Sequence, residues 1–307
     1  HLSLRRQRQM CIRDRNHYVP KKFQNLHNSL IQNFYTYEDQ KIIINDAWKR
    51  EGFGSGLSVV IDGGNFFDKA GINFSQIKGQ KLPQSSTGSN SNEDEPFFAT
   101  GVSLVFHPKN PQLPTAHLNV RFFQTFSAET PKAYWFGGGF DLTPYVLYEE
   151  DCVDWHKNAK KVAGESYAVW KQACDKYFFL DHRKEHRGIG GLFYEKQQFK
   201  NLDEGLDTSS KIVKGFTVAY KTIIERRCQM KFTKRQKEFQ RYRRGRYVEF
   251  NLLQDRGTLF GLQSNGRIES ILMSLPNDVS WRYKFDETLT QDELKLVNLI
   301  KKPKKWV

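Results

Sequence analysis

TAHLNVRFFQTF, residues 115–126, alternates polar and apolar side chains with a period of two. That is the signature of a β-strand with two unlike faces. His117, Asn119 and Arg121 fall on one face, and Leu118, Val120 and Phe122 on the other. A proton carrier, an amide and a guanidinium thus share one strand face. Arginine is the side chain best shaped to hold a carboxylate through two parallel hydrogen bonds. The ordinary alternative is a solvated polar face.

Working outward, residues 97–107 form a second strand in which Ser103, Val105 and His107 share a parity. If the two strands pair, His107 and His117 converge, although alternation alone does not set the register. Two histidines on neighbouring strands are a candidate metal site; the competing reading is two hydrogen-bonded structural imidazoles. On the other side lies a strand at 133–136, inside WFGGGFDLTP (residues 135–144). Consecutive glycines cost backbone entropy and need a reason, such as close approach of a flat ligand or exposed N–H groups that bind an anion. The run is not GxGxxG, which argues against a dinucleotide. Asp141, just beyond it, is either a general base or a cap on the Thr143-Pro144 turn. His156 and His182 belong to no compact ligand motif such as HExxH. Arg183, His186 and Arg187 precede the glycine-dense turn GIGG (residues 188–191), again a setting suited to an anion. GxSxG, P-loop and SxxK patterns are absent, so the common hydrolase and kinase classes lack support.

Further strands are expected at 42–49, 56–62, 246–254, 257–263 and 268–275, the last three joined by Asp255-Arg256-Gly257 and Ser264-Asn265-Gly266-Arg267 turns. Helices are expected at 21–35, 147–180, 208–229, 232–243 and 290–301, the last opened by a Thr290/Glu293 capping box. Strands grouped with strands predict an α+β fold built on an antiparallel sheet, in a single domain over 17–307. Residues 1–16 read as a disordered tail or sequence scar, and 79–95, rich in Ser, Asn and Gly, as a mobile surface loop.

With 307 residues the chain is long enough to bury a core without metal or disulfide staples. The cysteines, Cys11, Cys152, Cys174 and Cys228, are too scattered for CxxC zinc or a radical iron–sulfur cluster, and fit a reducing cytoplasm. No apolar run is long enough to span a membrane, and no secretory signal is visible. The net charge of +14 raises a nucleic-acid reading. Its excess sits in the first sixteen residues, in the last seven, and in 221–246, where eleven Lys and Arg face two Glu. Solvated faces, a nucleic-acid patch and steering of an anionic ligand all fit that distribution.

Four motifs in one order carry a resemblance. SLVFHPKNPQLPTAHLNVR (103–121), WFGGGFDLTP, HRKEHRGIGG (182–191) and RRGRYVEFNLLQDRGTLFGLQSNGRIESILMSLP (243–276) together resemble the oxygen-dependent coproporphyrinogen III oxidases, from about Phe23 to Val307. The resemblance implies a large antiparallel sheet flanked by helices on both sides and a homodimer formed through residues 247–282. It implies oxidative decarboxylation of two propionates of coproporphyrinogen III to vinyl groups, giving protoporphyrinogen IX in haem biosynthesis. Dioxygen is then the co-substrate and no organic cofactor is needed. Ser103, Asn119, Val120, Arg121, Asn265, Gly266 and Arg267 match substrate-contacting positions, His117 a proton donor, and Asp141 a carboxylate facing pyrrole N–H groups. His107, His117, His156 and His182 match histidines assigned to a divalent metal cation in bacterial members. Nucleic acid and integral membrane association are not implied. Asn265 stands where many members have Gly, and an Asn tolerates the left-handed conformation such a turn needs. A basic nucleic-acid-binding protein resting on 221–246 is the alternative.

Overall fold

The computed structural model describes residues 2–81, 95–127 and 130–307, with side chains from His17 onward. Seven strands form one antiparallel sheet: β1 (Ile43–Arg50), β2 (Gly54–Asp62), β3 (Phe67–Gly79), β4 (Phe97–Pro108), β5 (Thr115–Ser127), β6 (Thr130–Thr143) and β9 (Gly190–Gln197). They lie in that order, each beside its neighbour in sequence except β9, which returns to the free edge of β6. Between β6 and β9 come α2 (Glu149–Ala163), α3 (Tyr167–Tyr177) and a small ribbon of β7 (Phe179–Leu180) and β8 (Glu185–His186). The chain opens with α1 (Leu2–Phe34), which takes in the segment read as a tail. It ends with α4 (Leu202–Arg227), α5 (Lys234–Leu253), α6 (Arg256–Gln263), α7 (Ile268–Leu272) and α8 (Gln291–Ile300). The expected surface loop falls largely on 82–94, outside the described residues.

The period-two pattern of β5 divides the molecule. Leu118, Val120 and Phe122 join Leu104, Phe106, Phe136 and Phe140 in the main core, which α1 and α4 cover. Each such side chain removed from water contributes roughly 1.5–3 kcal/mol, so slipping the strand by one residue would forfeit the whole set. The opposite face is covered by the α5–α7 segment. Ser270 meets Ser58 at 2.8 Å, and the Met273 thioether lies where a Cβ on Gly71 would be. Helices therefore cover both sides of an antiparallel sheet, as an α+β fold requires.

The expected strands at 246–254, 257–263 and 268–275 are helical instead. Short apolar runs between turn residues fit a buried helix as well as a strand. The turn residues are in fact helix caps. The Asp255 carboxylate accepts from the backbone N–H of Thr258 at 2.9 Å and opens α6. Asn265, at φ 54°, closes it while the Gly266 N–H donates to the Gly261 carbonyl at 2.8 Å. The expected helix at 147–180 is split at Gly164, whose φ of 57° ends α2. The Thr290/Glu293 capping box is present. β3 and β9 escape the alternation pattern, because FDKAGINFSQIKG carries an interior glycine, GGLFYEKQ opens on two, and neither alternates cleanly throughout.

The basic stretch 221–246 is solvated only in part. Arg243, Arg244 and Arg246 are buried, and they pair with Glu185, Asp68 and Glu185 respectively. Arg226 and Arg227 hold Asp151, Arg235 holds Glu293 and Arg241 holds Asp278. Seven of the eleven cations of this stretch are thus paired with carboxylates of the fold, which weakens the nucleic-acid reading. The C-terminal lysine run is not free either. Lys304 lies 3.0 Å from Glu149, and Trp306 is buried against His156.

Candidate active site

Register brings the polar faces of four strands together. Ser103 pairs with Asn73 on one side and Asn119 on the other, and Val105 with His117. His117, Asn119 and Arg121 pair in turn with Asp141, Gly139 and Gly137. Directly paired residues point to the same side of a sheet, so this face forms the floor of a cavity of about 870 Å³. Its roof comes from α5–α7, including Tyr247, Asn251, Phe260 and Met273, and its far wall from β9 and Tyr177. A volume of this order lies in the range of roughly 300–1,000 Å³ typical of small-molecule sites.

His117 Nδ1 lies 2.8 Å from Asp141 Oδ1, and the carboxylate is also gripped by Arg187, Nε to Oδ2 at 2.9 Å and Nη2 to Oδ1 at 2.7 Å. Burial alone would raise the Asp141 carboxyl. The Arg187 guanidinium and the His117 hydrogen bond outweigh it and hold that carboxyl below its ordinary value. An ionised carboxylate only accepts, so His117 Nδ1 carries the proton it donates, and in the neutral ring Nε2 is the basic atom facing the cavity. Asp141 is thus neither a turn cap nor a free general base: it is a buried anion that fixes the orientation and tautomer of His117. Arg187 lies in an aromatic box, its guanidinium 4.1, 4.4 and 4.7 Å from the ring centres of Phe178, Tyr247 and Phe250. Its remaining donor reaches Asn251 Oδ1 at 3.0 Å.

Arg121 lies along the glycine run. A Cβ on Gly137 would stand 2.9 Å from its Nε, so the missing side chain is the space the guanidinium occupies. Gly139, at φ 144°, lets the backbone pass the Leu192 carbonyl. The glycines therefore serve close approach by Arg121 and by β9, and Gly138 and Gly139 leave bare backbone on the cavity wall. Arg267 pairs with Asp46, and its Nη1 is buried without a hydrogen-bond partner among the described residues.

Of the sequence candidates, Ser103, His117, Asn119, Arg121, Gly266 and Arg267 line this one cavity. Val120 is not among the lining residues; it is fully buried in the main core and pairs with Gly138. Asn265 is exposed at the rim, its carbonyl accepting from Arg50 at 2.9 Å. The four histidines do not form a metal site within the chain. His107 is fully buried, with Nδ1 3.0 Å from Thr115 Oγ1 and Nε2 2.9 Å from the Ser274 carbonyl. His156 is likewise occupied, by Tyr167 Oη and the Ile189 carbonyl, both at 3.0 Å. His182 sits on the surface, bound to Glu249. Among the described residues no group of three or more His, Cys, Asp or Glu side chains is placed to hold an ion. Burial depresses the basicity of His107 well below its usual value and that of His156 to about 4, so both rings are neutral structural donors.

Three functional side chains escaped the sequence reading. Asp255 was taken as a turn residue; it accepts from Tyr177 Oη at 2.7 Å on the cavity wall. Arg256 and Glu195 meet across the cavity mouth at 2.9 Å. Only Glu195 left a signal, through its parity with Phe193 and Gly191 on β9. Two of the three free cysteines among the described residues, Cys152 and Cys174, are buried. No described helix is long and apolar enough to cross a membrane. The family model described as coproporphyrinogen III oxidase matches residues 18–306.

Proposed function

We propose that this chain, which belongs to the coproporphyrinogen III oxidase family, converts two propionates of coproporphyrinogen III to vinyl groups with dioxygen as the oxidant and no organic cofactor. The observation that carries this reading is the convergence of an Asp-oriented histidine and Arg121 on one sheet face with Arg267 from the α6–α7 segment, around a cavity lined largely by aromatics and bare backbone. A porphyrinogen is apolar in its body and anionic at its edge. Phe123, Trp135, Phe178, Phe193 and Phe260 offer cover for the body, and the two arginines offer donors to the carboxylates. His117 Nε2 takes a proton from the substrate and returns it, while Asp141 and Arg187 behind it keep the ring aligned.

The electron balance per propionate is simple. The bond to the carboxyl carbon breaks, releasing carbon dioxide, and its electron pair forms the vinyl bond; one hydrogen leaves the carbon next to the pyrrole with its electron pair; those two electrons, that hydrogen's proton and one further proton from solvent reduce dioxygen to hydrogen peroxide. Roofing by α5–α7 limits water at the reacting carbon. Among the described residues a divalent metal finds no fitting set of donors, and no step is routed through one. A homodimer is in keeping with Leu252, Leu253, Leu262, Ile268 and Trp281, all exposed within 247–282. A cytoplasmic setting accords with the reduced cysteines.

The test is incubation of the purified protein with coproporphyrinogen III, in air and under anaerobiosis, with chromatography of the oxidised products. A divinyl product formed only in air supports the proposal; no conversion in either condition, or equal conversion in both, overturns it.

A further inference from the structure

The arginine best placed to clamp a substrate carboxylate already holds one. Arg121 Nη2 lies 2.9 Å from Glu195 Oε1, and Arg256 Nη2 lies 2.9 Å from Glu195 Oε2. A second Arg121 donor, Nη1, is turned to Asn119 Oδ1 at 3.2 Å. One carboxylate thus bridges two guanidinium groups on the wall of a cavity whose other charged lining is mainly cationic. The side chains of Glu195 and Arg121 are 29% and 34% exposed, neither locked in the core nor free in solvent.

The backbone is shaped to put Glu195 there. The register of β9 against β6 passes from Gly138↔Tyr194 to Phe136↔Gln197, one extra residue on the β9 side. Lys196, next in the chain, has φ 49°, a left-handed conformation that a lysine adopts only at a cost. Glu195 keeps the cavity-facing parity of Gly191 and Phe193, and it stands inside this bulge, where strand pairing is interrupted. The Arg256 guanidinium also rests over the Tyr177 ring, 4.8 Å from its centre.

We propose that Glu195 is an internal stand-in for a substrate carboxylate: it neutralises Arg121 and Arg256 in the empty cavity, yields them to an incoming propionate, and takes them back when that carboxylate is lost. Glu195 is a positioning residue, acting through the two arginines. The proposal rests on the porphyrinogen reading above and adds a direction to it, because the competitor for the clamp favours release of a molecule that has lost carboxylates.

The consequence is a gain of affinity on removing a charged residue, which loss of structure does not produce. The probes are coproporphyrin III, with four propionates, and mesoporphyrin IX, with two, each titrated by fluorescence against wild type, Glu195→Gln and Glu195→Asp. Glu195→Gln should bind coproporphyrin III about three- to tenfold more tightly than wild type, the size expected for releasing a partly exposed ion pair. Its affinity for mesoporphyrin IX should change by less than about twofold, and Glu195→Asp should restore the wild-type ratio. In turnover, KM should fall and kcat should fall with it, as release slows. Glu195→Ala removes the same charge and serves if the Gln variant does not fold. Unchanged or weaker coproporphyrin binding by the folded variants overturns the stand-in role while leaving the porphyrinogen reading intact. Failure of wild type to bind either porphyrin overturns both.

Discussion

Replacing Arg121 by Ala and Arg187 by Met should separate binding from stability, although both delete one positive charge from the same cavity. Arg121 is about one-third exposed and shares its partner Glu195 with Arg256. Screening limits that pair to less than about 1 kcal/mol of stability. Toward a bound propionate the same guanidinium makes a charge-assisted pair worth about 1.5–3 kcal/mol, so Arg121→Ala should lose about ten- to a hundredfold in kcat/KM while melting near the wild-type temperature. Arg187 is 2% exposed and makes two hydrogen bonds to Asp141, itself 1% exposed. Arg187→Met would strand that carboxylate without its cation, a loss of about 3–5 kcal/mol, which in a chain of this size lowers the melting temperature by roughly 5–8 °C. It should also abolish turnover, since His117 loses the anion that orients it. Thermal denaturation followed by circular dichroism, with steady-state kinetics on the same preparations, reads both effects. Lys304→Ala, deleting a charge paired with Glu149 far along the chain, is the control and should move neither quantity by more than about 1 kcal/mol. If Arg121→Ala melts as low as Arg187→Met, or if Lys304→Ala loses as much activity as Arg121→Ala, the division of labour argued here is wrong.

Three further outcomes follow from the same geometry. Acidification should destabilise the fold above the range of its carboxylates: His156 has its basicity lowered from 6.5 to about 4 by burial, so the unfolded chain binds the extra proton between those values, and stability present above pH 6.5 falls toward pH 4 by up to about 3 kcal/mol, a slope that denaturant melts at stepped pH would detect and that His156→Gln should flatten. Gly137→Val should displace the Arg121 guanidinium, whose Nε is 2.9 Å from the added Cβ, and raise KM while circular dichroism stays native. His107→Ala should cost about 1–3 kcal/mol by leaving the Ser274 carbonyl without its partner and the Thr115 hydroxyl with Tyr145 alone, and metal analysis of wild type and variant should give the same divalent-ion content.

The part of the site legible in the sequence is the part set by alternation. Period two placed His117, Asn119 and Arg121 on one face and buried Leu118, Val120 and Phe122, and the register then aligned Ser103 and Asp141 with them. What alternation cannot express is which distant element covers that face. The α6 and α7 segments carry turn residues that serve equally as hairpin loops or as caps, and only packing against β2 and β3 selects the helices. The role of Asp141 was hidden for the same reason. A carboxylate beside a glycine run reads as a cap or a base until Arg187, forty-six residues on, is seen to hold both of its oxygens. His107 shows the converse error: two histidines in paired strands do share a face, yet His107 spends both ring nitrogens inside the fold. The charge of 221–246 was visible, but its neutralisation by Glu185, Asp68, Asp151, Asp278 and Glu293 depends on contacts that no local pattern contains.

The central claim is that this cavity couples loss of a propionate carboxyl to reduction of dioxygen. The measurement that addresses it most directly is the stoichiometry of one sealed reaction: oxygen uptake by electrode, carbon dioxide by trapping and hydrogen peroxide by a peroxidase-coupled dye, with coproporphyrinogen III and the wild-type protein. Balance requires one dioxygen consumed and one peroxide formed for each carbon dioxide released. Carbon dioxide released without matching oxygen uptake would contradict it.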